Sequence, residues 1–349
     1  MQPWERRLND LWLILERCHE TYMEPELFRL NINQFLQTSR TVTFIVQKNK
    51  DSIQNFDAWY QPIVASWARD KVMDWAKDSR NKIEKEGDLA LHSTLDLTLF
   101  WSYIVEHDTK ISTSRSDLLQ AGTKRLIRLG RKMLPSGLIK SSAVRIERSW
   151  VANSLPDWEI LHAFNYIYST LYRLCMDFSI LAGAAIDSAV PDPAELQSAK
   201  DAARRISYLK LSDLEIHSQR TKKIRFKRDE ISDARMKLIE PFKGAMTEPK
   251  TMDEMFDVLC TMASSTFEFD GYHVPMMFFY GDDMRAIDMM SMCYSDRVDK
   301  YIFWRSAAER MIAAIAKKGG RVTADDVKEA WVEHMNPLAP GIISMYFEG

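Results

Sequence analysis

Three groups of residues in this chain have the types and spacing to do chemistry. The first is Arg80-Asn81-Lys82-Ile83-Glu84-Lys85, at the end of an amphipathic segment. Arg80 falls at the edge of the apolar stripe on a helical wheel, and Arg80 and Lys85 together can grip a phosphate and stabilise its charge. The plain alternative is an exposed helix terminus, where Lys and Arg suit the negative end of the dipole. The second group is the run Arg220 to Arg228, with Lys222, Lys223, Arg225, Lys227 and Arg228 as nucleic-acid-binding candidates. A solvated strand or loop competes there with a phosphate-binding stripe. The third is Tyr280-Gly281-Asp282-Asp283. Paired carboxylates on a turn between strands hold magnesium in polymerase palms. Asp270 is the nearest third carboxylate and only 66 residues follow the turn, so a Gly-Asp hairpin turn is the better reading.

Other chemistries find little support. The four cysteines (Cys18, Cys175, Cys260, Cys293) form no CxxC pair, which argues against structural zinc. No HExxH, P-loop or GxSxG occurs. His107-Asp108 lacks nearby His partners, and Glu248-Pro249-Lys250 falls in an expected loop. No cofactor or metal is expected. A net charge of −2 excludes a chain that is basic overall and leaves room for a local basic patch. The start lacks the apolar core of a secretory signal and no run reaches ~18 apolar residues, so a cytoplasmic protein with no membrane partner is expected.

The elements that must position these groups are mostly helices. Trp4, Leu8, Leu11, Trp12 and Leu15 recur at helical spacing over 4–22. Pro25 opens a second helix to residue 48, with Phe28, Ile32, Phe35, Ser39, Val42 and Val46 on one face. A third runs from Gln61-Pro62 to about Glu86 along Val64, Ala68, Val72, Trp75, Ser79 and Ile83, with Gly87 as its C-cap. Period two at Leu95–Trp101 predicts a strand or an extended arm, and Val144–Trp150 is expected to form a short strand. Helices are expected over 114–133, from Pro156-Asp157 to about Ala184, and over 194–208. Further on, a helix at 252–264, strands flanking Gly281-Asp282-Asp283 and a helix at 296–317 suggest a separate mixed layer. The expected fold class is mainly α: an N-terminal helical bundle over 1–188, a connecting segment with the basic stretch over 189–250, and a small mixed α/β domain over 251–349.

The helix ending in Arg80-Asn81, preceded by a second long helix, resembles the signature helix of HEPN domains (higher eukaryotes and prokaryotes nucleotide-binding). The resemblance covers about residues 1–185. It implies a helical bundle, often dimeric, and a metal-independent endoribonuclease if the chain is an enzyme. The family motif continues to a His, and Lys85 stands in its place. His moves protons near neutral pH, whereas an unperturbed Lys titrates near ~10.4. What the resemblance implies is therefore an RNA-directed protein with a weak or degenerate ribonuclease site, of the kind found in bacterial stress response, toxin–antitoxin or antiviral defence systems. Arg80 would contact the phosphate, Asn81 would position it and Lys85 would neutralise charge. RNA, a homodimer partner or a larger assembly with a protein partner are the expected partners. The alternative is a non-enzymatic scaffold or sensor subunit that dimerises and binds a protein.

Overall fold

Apolar spacing dictates the first two helices. α1 (Pro3–Glu20) buries Trp4, Leu8, Leu11, Leu15 and Cys18, and α2 (Pro25–Lys48) buries the expected stripe from Phe28 to Val46. Each has a proline in its first turn, where the missing N–H costs nothing. This computed structural model describes residues 1–102, 107–111, 116–185, 187, 189–193, 205–212, 216–217, 249–271, 275–280, 286–291 and 294–317. The long helix expected up to Glu86 is two: α3 (Phe56–Trp67) and α4 (Lys71–Lys85). The break lies at Asp70, whose carboxylate accepts from the amides of Val72 and Met73, both at 2.9 Å, and so starts a new helix.

The stretches at Leu95 and Val144 lie in paired strands of one sheet. β1 (Leu91–Phe100) pairs antiparallel with β3 (Ala143–Ala152), from Leu91↔Ala152 to Phe100↔Ala143. β2 (Thr109–Ile111) extends the β1 edge, and β4 (Leu155–Glu159) pairs with one end of β3. β5 (Arg205–Lys210) and β6 (Ile216–His217) complete the order β2-β1-β3-β5-β6. Residues 205–208 were expected to be helical. Pairing with β3 overrides that local preference, as strand formation depends on its neighbours. Between the strands lie α5 (Ser116–Leu119) and α6 (Thr123–Met133). Pro156-Asp157 joins β4, so α7 (Ile160–Leu181) begins three residues later, capped by Glu159, which accepts from the amide of His162 at 3.1 Å.

Alternation buries Leu95, Leu97 and Leu99 of β1 with Val144, Ile146 and Trp150 of β3, in one core with α1, α2 and α7. Phe35 of α2 stacks on Phe164 of α7 with centroids 3.9 Å apart. The chain is mainly helical with a small antiparallel sheet, and the helices of this N-terminal part pack on that sheet instead of forming a bundle alone.

The chain divides into two compact units, Met1–Ser218 and Gln219–Gly349. In the second, α8 (Met252–Asp270) and α9 (Arg297–Lys317) accompany an antiparallel pair, β7 (Met276–Tyr280) and β8 (Ala286–Ser291). Met290, Phe303 and Ala307 form its small core. Among the described residues, no helix is long and apolar enough to cross a membrane.

Candidate functional site

α6 carries the most one-sided charge in the described structure. Its sequence places Lys124, Arg125, Arg128, Arg131 and Lys132 within an arc of roughly 120°, counting 100° per residue. Leu126, Ile127 and Gly130 occupy the opposite arc and are buried. No Asp or Glu occurs between Asp117 and Glu147. Among the described residues, Lys124, Arg128 and Lys132 have no salt bridge. Lys124 and Arg125 lie in the first turn, where the dipole disfavours cations, and α6 has no acid of its own there.

Three devices hold this helix in place. At its start, the Glu24 carboxylate reaches across to accept from the Thr123 amide at 3.3 Å and from the Thr123 hydroxyl. It supplies the cap that Gly122 cannot, and the Cβ of any other residue at 122 would meet Glu24 Oε2 at 2.7 Å. Along the buried side, Gly130 lets the helix approach Leu211 and Val144, each 3.0 Å from where a Cβ would stand. At the end, Arg131 donates from Nε to the Leu211 carbonyl at 2.5 Å and from Nη2 to the Ser212 carbonyl at 3.1 Å.

Behind the first turn lies a buried polar network. Arg148 of β3 is fully buried and donates to the carbonyls of Ala121 at 2.7 Å and Met23 at 3.3 Å. Burial lowers its pKa to about 10, against the opposing influence of Tyr22 and Glu24. Tyr22 donates to Glu159 Oε1 at 2.8 Å and accepts from the Trp150 amide at 3.2 Å. Burial pushes the Glu159 carboxyl up, while Arg205, the Tyr22 hydroxyl and the backbone amides of His162 and Leu161 pull it back. This network ties Met23 and Ala121, and through them Glu24 and Thr123, to the sheet. It fixes where the cationic face points.

The residues singled out from sequence fare differently. Arg80 donates to Asn81 Oδ1 at 3.1 Å and pairs with Glu84 at 2.8 Å, one turn along the same helix. Lys85 is exposed in the last turn of α4. Arg80 and Asn81 thus meet each other, and a neighbouring carboxylate occupies the guanidinium. Lys222, Lys223, Arg225, Lys227 and Arg228 lie outside the described residues, as do Gly281, Asp282 and Asp283. Among the described residues, no group of three His, Cys, Asp or Glu is placed to hold a metal. Sequence reasoning passed over α6. The signal was legible as five cations without an acid between Thr123 and Met133, within the helix expected over 114–133.

A second feature is a groove of about 210 Å³ between α2, α3, α4 and α7. Val64, Trp67, Met73, Ile167 and Leu171 line it, with Arg40, Gln47, Tyr60, Asp74 and Lys77 as polar lining residues.

A mainly helical chain whose helices pack on a small antiparallel sheet, with one helix whose charged side chains are all cationic, is the class that fold and site define. The chain belongs to the bacteriophage lambda protein ea47 family, whose model matches residues 1–342. It is 44% identical over 313 residues to Protein ea47 of Escherichia phage lambda, covering 88% of this chain and 75% of that relative. No solved structure matches. These findings overturn the HEPN resemblance. With it go the RNA-directed ribonuclease reading, the stress, toxin–antitoxin and defence roles, and the scaffold alternative that was paired with them.

Proposed function

We propose that this protein binds the phosphate backbone of duplex DNA through α6. The observation that supports this reading is the row Lys124, Arg128 and Lys132, one helical turn apart and without a salt bridge among the described residues. Repeated cations ~6 Å apart along a helix axis suit a row of phosphates. The face from Thr123 to Met133 has no aromatic side chain on which an unstacked base could rest, which disfavours single-stranded RNA or DNA. The major groove of B-form DNA admits a helix, whereas that of A-form RNA is deep and narrow.

Fluorescence anisotropy with a labelled DNA duplex, titrated across salt, tests this. Each phosphate contact contributes about −0.9 to the slope of log affinity against log salt. The Lys124→Gln, Arg128→Gln, Lys132→Gln triple variant should therefore lose about 2.7 from the slope, three contacts' worth. A wild-type slope near zero, or one the triple variant leaves unchanged, sinks the proposal. Equal affinity for duplex RNA and duplex DNA shifts it to duplex nucleic acid in general.

A second reading concerns assembly and rests on α8. Met252, Phe256 and Phe267 share a face and are 59%, 65% and 58% exposed. A stripe of exposed apolar side chains on one helix favours contact with another chain, a second copy in the first place. Light scattering tests it: wild type should exceed the monomer mass, and Phe256→Ser should return it to the monomer.

A further inference from the structure

The groove between α2 and α4 has a shape and charge that DNA binding does not use. Its walls are apolar, and its volume exceeds the ~150 Å³ that accepts benzene and falls short of the ~300 Å³ at which drug-sized sites begin. At its edge, Arg40 uses one donor on the Thr43 hydroxyl at 3.0 Å and lies 4.3 Å from the centroid of Phe44. Among the described residues, no carboxylate lies within salt-bridge distance of Arg40. The other two charged lining residues cancel, Lys77 lying 2.6 Å from Asp74; Asp78, 3.5 Å from Lys77, does not line the groove. Tyr60, its hydroxyl accepting from Gln47 Nε2 at 2.9 Å, closes the wall near Arg40.

We infer that this groove binds a small amphiphilic monocarboxylate, its chain or ring on Val64, Trp67, Ile167 and Leu171 and its carboxylate on the Arg40 guanidinium. Four guanidinium N–H groups are left over by Thr43, enough for the two parallel hydrogen bonds of a carboxylate fork. One uncompensated cation matches a single negative charge, which favours a carboxylate over a doubly charged phosphate. The volume suits a chain of about eight carbons or one aromatic ring, by comparison with the benzene-sized cavity.

Isothermal titration of the full chain with octanoate, octanol and acetate tests this. Octanoate should bind saturably at one site, at least tenfold more tightly than octanol, with acetate weaker than both. Arg40→Gln should remove the preference for octanoate while leaving octanol binding in place, which also shows that the groove remains folded. Val64→Trp, which fills the mouth from a partly exposed position, should weaken both eight-carbon ligands. Equal affinity for octanoate and octanol, indifference to Arg40→Gln, or absence of saturable binding would overturn the inference. Binding that survives both substitutions places the ligand elsewhere and overturns it too.

Discussion

Replacing Tyr22 by Phe removes one oxygen atom from the network behind α6, and the cost follows from its two closest partners, the Arg148 carbonyl being a longer third at 3.4 Å. The Trp150 amide, 3.2 Å away, loses its acceptor inside the core. An orphaned buried amide costs about 2 kcal/mol. Glu159 loses a donor at 2.8 Å, and a bond to an ionised carboxylate contributes roughly 2.3 kcal/mol. Against these, Phe has no hydroxyl to strip of water, which returns about 2 kcal/mol. The net loss is about 2 kcal/mol while Glu159 is ionised. Once Glu159 is protonated its bond to Tyr22 is neutral and contributes about 1 kcal/mol, so the loss falls to roughly 1 kcal/mol. The substitution should therefore hurt more where Glu159 is ionised than where it is protonated, so the loss should grow as pH rises through its raised native pKa. Urea unfolding followed by tryptophan fluorescence reads this, because Trp4, Trp12, Trp59, Trp67, Trp75, Trp101, Trp150 and Trp158 all belong to the first unit. A loss below about 0.5 kcal/mol, or a loss that does not grow as pH rises, would refute these values.

The same network makes Glu159 a source of pH dependence. Its native pKa is raised, chiefly by burial, so the folded chain holds that proton more tightly than the unfolded chain. Its contribution is fully present below the ordinary carboxylate pKa and is lost as pH rises through the raised native value. Glu159→Gln should remove that part of the pH slope, seen as a flatter plot of unfolding free energy against pH across this window. Gly122→Ala should push the flexible Glu24 carboxylate off the start of α6 and cost about 1 kcal/mol, the value of a lost cap. Combined with Glu24→Ala the two losses should fail to add in thermal melts, because both remove the same bond. Gly130→Leu should cost about 1–3 kcal/mol by overpacking Leu211 and Val144, measured by the same melts. Burial pushes the thiols of Cys18 and Cys175 up, so peptide mapping after brief alkylation of the folded protein should find both unmodified and the exposed Cys260 modified.

Helices with a single clean stripe were legible before the structure. The stripe from Phe28 to Val46 is buried as read, and the period-two run at Leu95 and the short strand expected at Val144 are neighbours in the sheet. The misreadings share a cause: a long-range or capping interaction outweighed local periodicity. Asp70 splits one helix because its carboxylate caps another, and a stripe of apolar residues carries no trace of that. Residues 205–208, read as the end of a polar helix over 194–208, form a strand because the edge of β3 offers them hydrogen bonds. Glu24 and Thr123 are 99 residues apart, so no spacing rule links them, yet their bond sets the start of α6. For the site, Arg80-Asn81 is a pair that matches a motif, whereas the unbalanced charge of α6 is a sum over five residues, none unusual alone.

Arg80 and Arg128 differ in what surrounds them. Both are arginines on amphipathic helices, Arg80 half-buried and Arg128 exposed. Arg80 has Glu84 one turn ahead, and such an i,i+4 pair stabilises a helix by about 0.2–0.5 kcal/mol at no functional cost. A phosphate that reached Arg80 would have to displace that carboxylate. Arg128 has Lys124 one turn behind and Lys132 one turn ahead, two like-charge pairs that destabilise α6 by similar amounts each. α6 withstands that repulsion because Glu24, Gly130 and Arg131 anchor it from outside its own exposed face. A polyanion laid along Lys124, Arg128 and Lys132 turns both repulsions into attractions and displaces nothing. Heparin, a polyanion without bases, should therefore raise the melting temperature of the first unit, and the triple glutamine variant should melt higher than wild type in its absence and gain little in its presence. If heparin leaves the wild-type transition where it was, the strain assigned to this row of cations is absent.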